Sequence, residues 1–473
     1  MDCKQFYIDG AWVDPIEATT VDVINPATEK PAGTVALGSA ADAEKAILAA
    51  KRAFKTFSKT TVAERLEYLK AINAELIRRN DEIADAISLE MGAPRGLSRN
   101  AQAPSGPQHF GAVIDVLEKF EFEETMGTTK VLKEPIGVCA LITPWNWPMN
   151  QIATKVAPAI AAGCTMVLKP SEITPFDAAI LAEICHSVGL PAGVFNLVHG
   201  AGDTVGNMLT SHPDVAMVSF TGSTRAGVMI SKNAAPTVKR VALELGGKSA
   251  NIILEGVDLE KAIAVSVKSV MSNSGQSCNA PTRLMVPAAL YDDVRAIAEK
   301  AAKSVKVGAP ESDAHIGPVA SKMQFDKIRG YIKTGIDEGA DLIAGGTDMP
   351  EGLDTGYFIR PTVFGKVSPD MTIAREEIFG PVLSIMTYET VEEAIDMAND
   401  SEYGLSGYVW GVDKAAAYAV AAELRTGMVH INGASLDSAA PFGGYKASGN
   451  GREWGIYGLE EFLETKSVYG GAA

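Results

Sequence analysis

Gly137-Val138-Cys139-Ala140-Leu141-Ile142, an apolar run that stops at Thr143-Pro144, opens the part of the chain whose reading decides the fold. Similar runs recur at Thr165 to Leu168, Val194 to Val198, Val215 to Phe220 and Val238 to Leu243, at intervals of roughly twenty to thirty residues. Helical patterns such as Asp177 to Val188 lie between them. Strands that are apolar throughout are covered on both faces, so this cadence predicts a parallel sheet with helices on either side. After Gly246 the pattern restarts with a strand at Ala250 to Leu254, a helix at Leu259 to Met271 and a strand at Arg283 to Val286. Helices at Tyr291 to Val305 and Lys322 to Glu338 follow. A second α/β domain therefore begins near residue 247, with no low-complexity linker to separate it from the first.

Upstream, Phe6 to Val13 alternates and turns at Asp9-Gly10, and Val21 to Ile24 precedes Asn25-Pro26, which predicts short strands or a hairpin. Ser39-Ala40-Ala41-Asp42 and Thr61-Val62-Ala63-Glu64 have the form of helix starts, followed by apolar stripes. Gly92-Ala93-Pro94 is expected to end this helical region. Two extended pieces, Phe120 to Lys133 and Phe462 to Tyr469, fit neither domain; exposed strands are edge liabilities unless paired, so they suit a subunit interface.

The chain of 473 residues is too long for one ordinary core. Its formal charge is 42 − 58 = −16, which opposes binding to nucleic acid or an anionic membrane. Five cysteines without a C-x-x-C pair argue against disulfides and structural zinc, and for a reducing compartment. The N-terminus lacks a basic region followed by an apolar one, and no stretch approaches about 18 apolar residues, so a soluble cytoplasmic protein is expected. Six scattered histidines imply no metal.

Chemistry is suggested first by Asn273-Ser274-Gly275-Gln276-Ser277-Cys278, which sets one cysteine in a small polar loop suited to a nucleophile. Cys139, Cys164 and Cys185 lie in apolar surroundings and read as inert, and Cys3 lies near a terminus expected to be mobile. Glu244 ends the apolar run Val241-Ala242-Leu243 beside Gly246-Gly247. Pro144-Trp145-Asn146-Trp147-Pro148 holds an amide stiffly enough for an oxyanion donor. Three loops at strand ends suit a dinucleotide, because parallel sheets bind ligands beyond the carboxyl ends of their strands. They are His199-Gly200-Ala201-Gly202-Asp203-Thr204-Val205-Gly206, Phe220-Thr221-Gly222-Ser223 and Leu168-Lys169-Pro170-Ser171-Glu172. Ser223 and the N–H groups of a helix start suit a phosphate, and Lys169 with Glu172 suits a ribose.

These segments, with Leu243-Glu244-Leu245-Gly246-Gly247-Lys248-Ser249, Glu376-Glu377-Ile378-Phe379-Gly380-Pro381-Val382 and Pro441-Phe442-Gly443-Gly444-Tyr445-Lys446 running on to Glu453, resemble the NAD(P)-dependent aldehyde dehydrogenase superfamily in order and spacing. The resemblance implies a Rossmann-type coenzyme domain (1–119 and 136–246), a second α/β catalytic domain (247–455) and a small β oligomerisation arm (120–135 and 456–473). It implies Cys278 as nucleophile, Glu244 as general base, Asn146 with the Cys278 N–H as oxyanion hole, and Lys155 as proton-relay lysine. Lys169 and Glu172 would hold the adenosine ribose, Gly202 would lie near the adenine, and Trp145 and Ser223 near the pyrophosphate, with Ser171 and Gly222 also binding the coenzyme. Gln324, Glu377 and Phe379 would surround the nicotinamide riboside.

The same resemblance implies NAD as coenzyme, with NADP possible, and a homodimer or homotetramer. The aldehyde would lie among Trp147, Thr154, Ser272, Ser277, Asn279, Leu436 and Phe442. That lining has no Arg or Lys, so a neutral aliphatic or aromatic aldehyde is expected rather than a carboxylated one. The alternatives are a CoA-acylating semialdehyde dehydrogenase, disfavoured by Glu244, and a catalytically silent protein of the same fold.

Overall fold

A computed structural model describes residues 1–17 and 19–472. The five runs beginning at Val138 become the parallel centre of an 8-stranded sheet. Its spatial order is Gly449–Asn450, Arg240–Glu244, Met217–Thr221, Val138–Ile142, Thr165–Lys169, Phe195–Leu197, Phe6–Ile8 and Ala11–Val13. All five residues of Val138–Ile142 and of Thr165–Lys169 are buried, as their composition demands. The chain leaves Val138–Ile142 toward Thr165–Lys169 on one side and later returns to Met217–Thr221 on the other. The sheet therefore reverses direction between Val138–Ile142 and Met217–Thr221, and a crevice opens beyond their carboxyl ends.

A 7-stranded sheet is centred on Ala250–Ile253, Arg283–Pro287 and Val382–Tyr388, and only its edge strand Asp341–Ala344 runs antiparallel. The change of sheet falls between Glu244 and Ala250. Gly449–Asn450 departs from the expectation that 247–455 forms one unit: it returns to pair antiparallel with Leu243 and Glu244 of the first sheet. Gly449 permits this approach because a Cβ there would lie 2.0 Å from the Leu243 carbonyl oxygen.

The extended pieces Glu123–Met126, Thr129–Pro135 and Leu463–Tyr469 form their own antiparallel 3-stranded sheet. Two readings are corrected. Cys3 is buried in the strand Asp2–Cys3, paired with Thr34 and Val35, rather than in a loose terminus. The helical region does not end at Pro94: a helix runs from Ala103 to Leu117 despite Pro104, Gly106, Pro107 and Gly111. Packing overrides propensity here, since Gly106 lets the helix close on Met149, which a Cβ would approach to 2.8 Å. Among the described residues no helix is long and apolar enough to cross a membrane.

Candidate active site

The loop leading to Cys278 follows the helix Leu259–Met271 and departs at once from helical geometry. Asn273 and Ser274 are both left-handed (φ 54° and 56°), and Gly275 follows at φ 74°. A Cβ on Gly275 would lie 2.0 Å from the Gly380 carbonyl, so only glycine fits. Two left-handed residues with side chains cost about 1 kcal/mol or more each, and surrounding contacts must hold them. They do. Asn273 Oδ1 accepts from Gln102 Nε2 (2.8 Å), and its Nδ2 donates to the Asn146 carbonyl (2.8 Å). Gln276 donates to the Asn273 carbonyl (3.1 Å) and accepts from the Ala320 N–H (2.9 Å). Trp147 Nε1 donates to Ser277 Oγ (2.9 Å). The loop is thus clamped by residues of the first unit and of the second, with Cys278 half-buried beyond it.

Asn146 is buried, and its Nδ2 donates one hydrogen bond, to the Gln276 carbonyl at 3.0 Å. An amide nitrogen carries two protons, so a second remains for a ligand oxygen. Glu244 ends its strand fully enclosed, and neither carboxylate oxygen has a partner among the described residues. Gly443 keeps space beside it; a Cβ there would lie 2.7 Å from Glu244 Oε1. Burial holds the Glu244 carboxyl well above its usual range, Glu453 adds to the rise, and Lys155 and Arg452 oppose it. Lys155 itself is buried and paired with Glu453. The Cys278 thiol is pushed up by desolvation first, then by the Glu244 and Glu377 carboxyls.

The crevice at the sheet's reversal forms two joined clefts. One, of about 270 Å³, brings Cys278 together with Trp145, Asn146, Ser223, Gln324, Glu377 and Phe379. The other, of about 420 Å³, is lined by Lys169, Ser171, Glu172 and Gly202. Pro144, Trp145, Thr221 and Gly222 line both, so the groove is continuous from Glu172 to Cys278. Lys169 is buried, donates to the Pro170 carbonyl (3.1 Å) and lies 3.8 Å from Glu172, whose carboxylate reaches solvent. The Ser223 hydroxyl caps the helix Thr224–Ala234 by accepting from the Ala226 N–H (3.3 Å). The Ser171 hydroxyl likewise accepts from the Ile173 N–H (3.2 Å). Phe379, left-handed at φ 60°, meets Trp145 edge-on with centroids 5.5 Å apart. Glu377 accepts from the Gly247 N–H (2.9 Å), and Gln324 Oε1 is buried without a partner among the described residues.

Not every expected residue reaches the groove. Lys155 and Glu244 lie behind it, while Ser272 and Leu436 are exposed and line neither cleft. Thr154 is buried and donates to the Gln151 carbonyl (3.1 Å). Phe442 is buried against Trp454 (4.6 Å), and Asn279 offers its carbonyl to Tyr408 Oη (2.9 Å). Gln102, Asn273, Glu453 and Tyr408 received no role from the sequence. Gln102 lies 171 residues from its partner, and nothing local marks it.

A model described as the aldehyde dehydrogenase family matches residues 12–468. The chain is 58% identical over 471 residues, 99% of each chain, to a 3-succinoylsemialdehyde-pyridine dehydrogenase from a Pseudomonas species. A mutant of aldehyde dehydrogenase C from Pseudomonas syringae, solved with NAD+ and octanal, superposes with a TM-score of 0.99 at 48% identity, over 99% of this chain and 97% of that one. A Mycobacterium tuberculosis aldehyde dehydrogenase complexed with NAD+ superposes at 0.96 with 41% identity, over 99% and 98%. With the Cys278 loop and the Asn146 amide at the end of one groove and the enclosed Glu244 carboxyl behind it, these likenesses make the chain a member of the aldehyde dehydrogenase family.

Proposed function

We propose that the protein oxidises a neutral aldehyde to its carboxylic acid through a covalent adduct on Cys278, with NAD bound along the groove. The observation that carries this reading is Cys278 and the unspent Asn146 N–H at one end of a groove suited to a dinucleotide, with the enclosed Glu244 carboxyl, unpartnered among the described residues, just behind it. The groove fits NAD: Glu172 offers a carboxylate to ribose hydroxyls, the helix at Thr224 offers its N-terminus to phosphate, and buried Gln324 Oε1 lacks a donor among the described residues.

Cys278 gives its proton to solvent water and its sulfur adds to the aldehyde carbon, while Asn146 and the Cys278 backbone N–H hold the oxygen that becomes negative. Collapse of the thiohemiacetal expels hydride and leaves a thioester. NAD, when bound, supplies the nicotinamide ring that accepts the hydride. Glu244 then takes a proton from water, whose oxygen attacks the thioester; the acid leaves and the thiol is restored. The Lys155–Glu453 pair, packed beside Glu244, gives that proton a way onward.

The relatives named above include a 3-succinoylsemialdehyde-pyridine dehydrogenase and an enzyme solved with octanal, which supports an uncharged chain or ring as the substrate. We place the aldehyde's approach in the cleft of about 670 Å³ between the helix Ala103–Leu117 and Ser438-Ala439. Contacts lead inward from it. His109 meets Asn150 (2.9 Å), three residues from Trp147, which holds Ser277 next to Cys278. Residues 1–119 and 136–246 would serve the coenzyme, and 247–455 the substrate. The sheet of 120–135 and 456–473 would join a second copy, giving a dimer or tetramer. Five free thiols suit the reducing cytoplasm.

NADH formation with a panel of aldehydes varying in length, ring and terminal charge tests the reading. Wild-type enzyme should oxidise neutral aldehydes with NAD in the absence of CoA, and Cys278→Ala should not. Dependence on CoA would favour acyl transfer, and turnover by Cys278→Ala would remove the covalent mechanism.

A further inference from the structure

Tyr408 and His430 stand opposite each other on the adjacent parallel strands Ser406–Trp410 and Met428–Ile431. Their rings are stacked, with centroids 4.5 Å apart and planes 10° from parallel. Each ring spends its polar atom on a loop rather than on its own sheet. Tyr408 Oη donates to the carbonyl of Asn279, the residue after the nucleophile, at 2.9 Å. His430 Nδ1 lies 2.8 Å from the Ala434 carbonyl. A carbonyl only accepts, so Nδ1 carries the proton. Burial holds the imidazole pKa below its ordinary value, so the ring is neutral and its Nε2 is a bare acceptor with no partner among the described residues.

Ala434 starts the exposed segment that carries Leu436, then Ser438 and Ala439 on the wall of the cleft of about 670 Å³, and ends at buried Phe442. The segment has few ties of its own. Asn432 is fixed to Gly411 by two hydrogen bonds of 2.9 Å, and Asp437 bonds only to Ala439 and Ala440 within the segment. Backbone bonds from the Ala434 N–H to the Ile431 carbonyl (3.1 Å) and from the Asn432 N–H to the Val409 carbonyl (2.9 Å) hold the base of the segment, and the stack is the side-chain link from there to the backbone beside Cys278.

We propose that Tyr408 and His430 are a positioning pair that sets the distance between Cys278 and the 432–440 wall, and so fixes how bulky an aldehyde the site holds. The inference rests on the aldehyde dehydrogenase reading above. A short aldehyde needs only the Cys278 loop and Asn146. A long one must also lie along the wall, and a wall released from His430 loses that fit.

The test compares propanal and octanal with saturating NAD in wild type, His430→Phe, His430→Asn and Tyr408→Phe. Phe keeps the stack but cannot donate to Ala434, whereas Asn places an amide N–H where Nδ1 stood. His430→Phe is expected to raise KM for octanal about fivefold, the scale of one lost hydrogen bond. Its kcat with propanal and its KM for NAD should stay within about twofold of wild type. His430→Asn should recover most of the octanal KM, and Tyr408→Phe should follow His430→Phe. Equal losses for both aldehydes, a rise in the NAD KM, or an unchanged octanal KM would overturn the proposal. So would wild-type enzyme that oxidises propanal and leaves octanal untouched. Wild-type enzyme inactive on both aldehydes would instead overturn the dehydrogenase reading, and this inference with it.

Discussion

A thiol held above its ordinary pKa is a poor nucleophile until something lowers it, and Cys278 has no cationic side chain among the causes that shift it. The two carboxyls near it act in the wrong direction for activation. The cationic nicotinamide ring of NAD+ acts in the right one, which would keep the thiol quiet until coenzyme is present. Alkylation by iodoacetamide should therefore be slow near neutrality, still rise with pH above 9, and quicken when NAD+ is added. A rate already level below pH 7 would show that the thiolate is formed without help. Burial raises the Glu244 carboxyl for the same reason, which makes its carboxylate a stronger base when it takes the proton from water. Glu244→Gln should keep the initial burst of NADH but lose steady-state turnover by about a hundredfold or more; equal loss of both phases would move Glu244 to an earlier step. Asn146→Ala should lower kcat by about a hundredfold, the scale of one oxyanion donor, and undiminished kcat would leave Asn146 as part of a turn.

Elements written locally in the chain were legible, and those held from a distance were not. Ser39 with Asp42 and Thr61 with Glu64 form complete capping boxes, because both partners of each cap lie within four residues. The five apolar strands declared themselves by composition alone. The helix Ala103–Leu117 did not, since its prolines and glycines speak against a helix and only its neighbours impose one. The site divides in the same way. Cys278, Glu244 and Asn146 sit in motifs of a few residues, whereas the Gln102–Asn273 clamp and the Tyr408–His430 stack exist only after the sheets form. One helix start carries a prediction of its own. Glu90 accepts from the N–H groups of Phe176 (2.8 Å) and Asp177 (3.4 Å), while Asp177 is enclosed with both oxygens unpartnered among the described residues. Burial pushes Asp177 up to about 8, and burial and then Asp177 push Glu90 up as well. A carboxyl whose folded pKa is raised stabilises fully below its unfolded value near 3.8, and that stability is lost as pH rises toward 8. Asp177→Asn should thus raise Tm at pH 8 relative to wild type and change it little at pH 4.5. A gain of equal size at both values would assign the effect to packing instead of titration.

At the scale of the whole molecule, the reversal in the first sheet and the docking of the second sheet against it build one groove, and the groove lies in the field of a chain with net charge −16. That field opposes anionic ligands at long range and weakens with salt. NAD and NADP differ by one phosphate, so they sample it unequally. At the rim the contest is local. Glu172 is exposed where a carboxylate can accept from both ribose hydroxyls, and it would face an added 2′-phosphate directly. Lys169 opposes it from 3.8 Å, but the ammonium is buried behind Glu172, which stands between it and the exposed rim. Screened repulsion between two such charges is about 1 to 2 kcal/mol, which corresponds to a preference for NAD of roughly tenfold in kcat/KM. Glu172→Gln should narrow that preference several-fold without changing kcat with NAD. Added salt should narrow it further in wild type, because the long-range part is screened while the rim contact is not displaced. A preference that survives in Glu172→Gln would assign coenzyme choice to the general field, and a wild-type preference for NADP would mean that Glu172 turns outward and leaves Lys169 to bind the phosphate.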